Sequence, residues 1–179
     1  MEEVQGKTTG PEIYHQLRGI GKTPDAFVAG VGTGGTIMGV GAYLRSQHPG
    51  IRLHPLEPYQ SPTLSTGFKV GMHRIQGISD DFMPLILQLG TLDSIVQADD
   101  SDAIRMTQKL GLGVGFTSGA NVIGAIQLQQ ELGPDATVVT VLPDSNKKYL
   151  SSDLLWVQPL REEYVSPYVD FTGYHPIRS

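Results

Sequence analysis

The sequence contains no cysteine. Disulfides, thiolate metal sites and a cysteine nucleophile are excluded together, and a thiol-free chain fits the reducing cytoplasm. It has no surplus of positive charge either: 13 Lys and Arg against 18 Asp and Glu leave a formal net charge of −5. With no basic patch to offset that balance, neither nucleic acid nor an anionic membrane surface is an expected partner. No apolar run reaches the length of a membrane span, and the opening MEEVQGKTTG lacks the charged-then-apolar pattern of a secretory signal. The expected location is the cytoplasm. Metal-ligand spacing is missing as well. His15, His48, His54, His73 and His175 include no pair at a helical ligand spacing and no His-Glu-x-x-His pattern. They read as solvated or structural, and no metal is expected.

What is present suits one globular domain. Hydrophobic residues make up 39% and charged residues 17% of 179 positions, enough to build a core. Four segments read as buried strands: residues 26–31 (AFVAGV), 51–56 (IRLHPL), 94–98 (SIVQA) and 136–142 (ATVVTVL). Two of these are near-continuous apolar runs, as expected of parallel strands covered on both faces. Helical patterns cover 35–47, 101–110 and 119–132. Asp100, Ser101 and Asp102 offer N-cap chemistry, and Gly111 and Gly133 read as C-terminal stops. The alternation predicts an α/β fold, a doubly wound, mostly parallel sheet with flanking helices. Residues 59–90 read as loop with short helix. The expected organisation is a domain over 1–155 and a polar, proline-punctuated tail over 156–179, lying on the surface or forming a subunit contact.

The most informative stretch is FVAGVGTGGTIMGVGAYL, residues 27–44, where a strand breaks into glycines before a helix. Gly30, Gly32 and Gly35 satisfy the dinucleotide pattern G-x-G-x-x-G, and Glu57 ends the next strand where a ribose-binding acid belongs. Alternatively, Gly32, Thr33, Gly34, Gly35 and Thr36 form a cup of backbone N–H groups and hydroxyls for a single phosphate at a helix N-terminus. Two further polar turns favour the cup. GFTSGAN (115–121) places hydroxyls and glycine before a helix, and PDSNKKYLS (143–151) follows the last strand at the end that lines the ligand crevice of an open α/β sheet.

GTGGT followed by IQGI, GFTSGAN and LPDSNKKYLS, with TTGPEI (residues 8–13) ahead of the first strand, resembles the cysteine synthase and cystathionine β-synthase family. The resemblance runs over residues 8–155. It implies the large-domain part of the type II pyridoxal-phosphate fold, and a β-replacement reaction on serine-derived substrates such as O-acetylserine. It also implies that Gly32, Thr33, Gly34, Gly35 and Thr36 hold the phosphate of pyridoxal 5'-phosphate. Thr117 stands where the family carries a serine that bonds the pyridine nitrogen, and its neutral hydroxyl suits elimination at Cβ over transamination. Asp144 and Ser145 are implied near the same ring edge, and Gln76 and Gly77 in the loop nearest the amino-acid substrate. Ser79, Asp80 and Asp81 form a variable part of that loop and identify no substrate.

The resemblance also implies residues that this sequence does not contain. The family's cofactor-bearing lysine lies in a Ser-x-Lys-Asp-Arg-like context, and a Thr-Ser-Gly-Asn-Thr-like loop grips the substrate carboxylate. Here the lysines are Lys7, Lys22, Lys69, Lys109, Lys147 and Lys148, none in that context. Lys147 and Lys148 read as a solvated turn. The sequence therefore reads as the C-terminal half of such an enzyme, inactive alone, and expected to meet a companion N-terminal half chain or to form a homo-oligomer. A catalytically dead binding or regulatory module and a nicotinamide-dinucleotide oxidoreductase domain are the competing readings.

Overall fold

A computed structural model describes residues 2–79 and 83–177 of the chain. The four expected segments form strands β1 (Ala26–Gly30), β2 (Arg52–Pro58), β3 (Val96–Ala98) and β4 (Val138–Thr140). They make one sheet in the order β3-β2-β1-β4, parallel at each junction. Among the described residues the helices are α1 (Glu2–Lys7), α2 (Thr9–Gly19), α3 (Gly35–Gln47), α4 (Thr63–Thr66), α5 (Asp100–Leu110) and α6 (Phe116–Leu132). None is long and apolar enough to cross a membrane.

Side chains along β1 alternate between two cores, as the pleat of a strand requires. Val28 joins Leu56, Val96, Ile104, Phe116 and Ile123, under α5 and α6. Phe27, Ala29 and Val31 join Ile37, Val40, Leu44 and Leu53, under α3. Both faces of β1 are dry, so its sequence AFVAG is apolar throughout instead of alternating. This is the doubly wound α/β architecture expected from the sequence. Pro55 is tolerated inside β2 for a local reason. Leu53 exchanges both backbone bonds on its far side with Asp93, its N–H reaching Oδ2 and its carbonyl accepting the Asp93 N–H. Pro55 faces that same side, just ahead of Leu56, where pairing with β3 begins.

Helix boundaries differ from expectation in three places. TTGPEI lies at the start of α2, because a proline in the first helical turn loses only an N–H that has no intrahelical acceptor. Helix α6 begins at Phe116 rather than Gly119, so Thr117 and Ser118 belong to its first turn. The cap of α5 is Asp99, whose carboxylate accepts the N–H groups of Ser101 and Asp102 at 2.8 and 3.3 Å. The two acids after it serve other segments. Asp100 accepts the Arg74 N–H at 2.7 Å. Asp102 accepts the N–H groups of Val165 and Ser166 at 2.8 and 2.9 Å, which seats part of the tail beside α5.

That last pairing sets a stability expectation. Asp102→Ala leaves the buried Ser166 N–H and the half-buried Val165 N–H without acceptors, at a cost of roughly 2–4 kcal/mol. Asp102→Asn keeps one acceptor and costs about half as much. Guanidinium midpoints of the three proteins check the order.

Candidate active site

At the carboxyl end of β1 the chain turns through Gly32, Thr33 and Gly34 into α3. Gly34 has φ of +82°, a left-handed conformation that a side chain would strain. Gly32 is required for a different reason: a Cβ there would sit 2.4 Å from the Gly77 carbonyl oxygen. The turn therefore packs directly against the Gln76–Gly77 loop. Among the described residues, the backbone N–H groups of Thr33, Gly34, Gly35 and Thr36 donate to no protein acceptor, and the hydroxyls of Thr33 and Thr36 have no partner. A row of free donors thus sits at the positive end of a 13-residue helix.

The Gln76–Gly77 tip is displayed by a fixed frame. Ile75 and Ile78 are buried in the α5–α6 core, whereas Gln76 and Gly77 are exposed. The Gln76 carbonyl accepts the Thr117 hydroxyl at 2.9 Å. Past the tip, the Ser79 N–H donates to the Val31 carbonyl at 2.8 Å. Ser79 has φ of +57°, and its hydroxyl lies 2.8 Å from the Ser61 carbonyl and 2.9 Å from Thr63 Oγ1. Asp80 and Asp81 lie outside the described residues.

The start of α6 is held from across the sheet. Gly115 offers no side-chain cap, and Asp144 supplies one instead. Its Oδ2 accepts the Thr117 N–H at 3.0 Å, and its Oδ1 accepts the Ser118 N–H at 2.9 Å and the Ser118 hydroxyl at 2.6 Å. Tyr149 donates its hydroxyl to Oδ2 at 2.9 Å while its buried ring stacks on Phe116, centroids 4.0 Å apart. Burial, and then the adjacent Asp144 carboxylate, hold the Tyr149 phenol well above the usual tyrosine range. Asp144 was expected at a ring edge; its carboxylate is engaged as the cap of α6. Ser145 caps the short turn that follows it, its hydroxyl accepting the Lys147 N–H at 3.3 Å.

The structure thus brings Gly32, Gln76, Gly77, Thr117 and Asp144 into one continuous chain of contacts, with Thr33 to Thr36 beside it. Sequence reasoning missed Asn121 and Tyr149. Asn121 accepts the Gly30 N–H and donates to the Val141 carbonyl, both at 2.8 Å, tying together the segments that leave β1 and β4. An amide within the otherwise apolar run ANVIGAI was its signal. Glu57, the candidate ribose acid, is buried, and its carboxylate accepts the Leu64 and Ser65 N–H groups, the Ser65 hydroxyl and the Gln97 amide. Nothing of it is left for a ribose. His54 is buried against Ser94, a structural role. Among the described residues no cluster of three His, Asp or Glu could hold a metal ion. Lys147 and Lys148 are exposed on the turn after Ser145, as their composition suggested.

A parallel sheet with a glycine turn, a helix N-terminus and two polar loops at its carboxyl end defines a class of small-molecule-binding α/β enzymes. Residues 3–144 match the pyridoxal-phosphate dependent enzyme family, and the chain belongs to that family, whose cofactor is pyridoxal 5'-phosphate. It is 44% identical over 156 residues to the cysteine synthase of Staphylococcus aureus, covering 85% of this chain and 49% of that protein. The probable cysteine synthase of Bacillus subtilis is also 44% identical over 156 residues, covering 85% of this chain and 50% of its own. Among solved structures, a hydrogen sulfide-producing enzyme of Fusobacterium nucleatum superposes with a TM-score of 0.91 at 50% identity, over 93% of this chain and 51% of that one. The chain spans about half the length of the curated relatives it matches.

The Tyr149–Asp144 pair makes the alkaline limb of stability diagnostic. A phenol whose folded pKa is raised stabilises the folded state fully below its unfolded value of about 10, and that contribution is lost as pH rises through the folded value. Wild-type protein should lose stability more steeply above about pH 10 than Tyr149→Phe, with Asp144→Asn intermediate. Urea midpoints across that range decide it.

Proposed function

We propose that this chain forms the cofactor-binding half of a cysteine-synthase-like enzyme, acting in the cytoplasm on a β-substituted alanine such as O-acetylserine and replacing the substituent with sulfide. The observation that carries the reading is the row of unpartnered N–H groups and hydroxyls from Thr33 to Thr36, set beside the exposed Gln76–Gly77 tip. A phosphate dianion needs several convergent donors and favours a helix N-terminus. This turn offers both, so its residues fit the family's cofactor.

Gly32, Thr33, Gly34, Gly35 and Thr36 would hold the phosphate. The hydroxyl of Thr117 would meet the ring nitrogen by exchanging its bond to the Gln76 carbonyl for one to the ring, from an α6 start that Asp144 and Tyr149 keep fixed. Asp144 acts through that cap. Gln76 and Gly77 would face the amino-acid substrate, while Ser145 lies at the rim. The chemistry supplied by pyridoxal 5'-phosphate when bound is electron withdrawal from the substrate's α-carbon, which lets a β-substituent leave. This chain's residues anchor and orient; none of its lysines stands in the family's cofactor-bearing context. The amine that moves the α-proton therefore has to come from residues beyond this sequence, in a companion half or a longer chain. Strand β4 is suited to such a neighbour, since among the described residues it pairs within the sheet only with β1, and an unpaired edge invites another strand.

Titration of the protein with pyridoxal 5'-phosphate, before and after adding the lysine-bearing half, tests the reading. Binding is expected in both states and cysteine formation from O-acetylserine and sulfide only in the second. Binding without turnover in both would point to a regulatory module instead. Gly34→Asp, which adds bulk and negative charge to the cup, should weaken cofactor binding by about tenfold or more. Unchanged affinity in that variant would remove the turn from the site.

A further inference from the structure

Arg74 lies two residues before Gln76 and joins two other segments of the chain. Its backbone N–H donates to Asp100 Oδ2 at 2.7 Å, and its Nε stands 3.7 Å from the same oxygen. Its Nη2 donates to the Ser101 hydroxyl at 2.7 Å. Its Nη1 donates to Asp153 Oδ2 at 2.7 Å and to Gln158 Oε1 at 2.9 Å. Gln158 is fixed in turn: it is buried, and its amide donates to the carbonyls of Asp153 and Trp156 at 3.1 and 3.2 Å. Residues 153–158 are therefore folded around the guanidinium and do not trail from the domain.

This placement has a directional consequence. The first turn of α5, capped by Asp99, forms one wall of the Arg74 site, and residues 153–158 form the other. The side chain at 74 fixes the backbone at 74, and Ile75 enters the core directly after it. Beyond the tip, the loop is held by the Ser79 N–H on Val31 and by Gly77 against Gly32. A planar guanidinium serving several acceptors at once holds a segment in position and orientation, which an ammonium does not do.

We infer that residues 153–158 position the Gln76–Gly77 tip through Arg74, which makes part of the apparent surface arm a component of the ligand site. This rests on the reading of Gln76 and Gly77 as ligand-facing. Arg74, Asp153 and Gln158 act here as positioning residues, bonded to one another and to protein groups.

The test separates a local role from general stapling. In Asp153→Ala combined with Gln158→Met, amide hydrogen exchange is measured at Ser79, which reports the loop, and at Val28, which reports the central strand. Ser79 exchange should rise about tenfold or more while Val28 stays within about twofold. Arg74→Lys keeps the charge near Asp153 but not the fork, and should shift Ser79 in the same direction by less. It serves as the test if the double variant does not fold. In the cofactor-loaded, lysine-containing enzyme, the double variant should raise the KM for O-acetylserine by a similar factor and leave cofactor affinity within about twofold. Unchanged Ser79 exchange, or equal acceleration at Ser79 and Val28, overturns the inference. A wild-type protein that binds no pyridoxal 5'-phosphate would overturn the ligand reading, while the exchange comparison would still decide the Arg74 linkage.

Discussion

The Gly77 carbonyl rests against the α-carbon of Gly32, in the space that any side chain there would fill. Through this contact the loop after β2 lies directly on the turn after β1, and the remaining site geometry follows from it. Ile78 and Ser79 are drawn under β1, with the Ser79 N–H on Val31, and the Gln76 carbonyl comes within reach of Thr117 on α6. A methyl group at Gly32 would push the loop outward and separate all three elements. The glycine-rich turn therefore answers two demands. Gly32 accommodates another part of the protein, and Gly34 supplies the left-handed residue from which α3 starts.

Charge is placed to support that arrangement from a distance. Asp144 caps α6 across 27 residues of sequence, and its negative charge sits where the helix macrodipole favours it. Four protein donors occupy the carboxylate, while the Thr117 hydroxyl beside it bonds the Gln76 carbonyl. Around α5, consecutive acids divide the labour. Asp99 caps the helix, Asp100 holds Arg74 and Asp102 holds the tail. A stretch whose sequence offers N-cap chemistry at Asp100, Ser101 and Asp102 is buried there and uses two of its acids on other segments.

Much of this was legible in the sequence. All four strands and the span of α3 were placed from the sequence, most directly β1, an apolar run ending in glycine, because a strand dry on both faces leaves little choice of residue. The motif set also pointed to the family and to the residues that converge. What was not legible depends on tertiary partners. The early start of α6 needs Asp144 from another segment, and no local cap announces it at Gly115. Helix α2 was hidden by a glycine and a proline that are harmless in a first turn. Glu57 satisfied a spacing rule, yet in the fold it closes hydrogen bonds to α4 and Gln97. Arg74 carried no motif, since its role exists only once residues 153–158 have folded back onto α5.

The central claim is that three segments, held together by the Gly32–Gly77 contact, make one cofactor site at the carboxyl end of the sheet. Amide chemical-shift mapping on addition of pyridoxal 5'-phosphate tests it most directly. The account predicts the largest changes at Gly34, Gly35 and Thr36, with a second group at Gly77 and Thr117. Changes confined to the far end of the sheet, around Asp25 and Arg52, or none at all along 32–36, would contradict it.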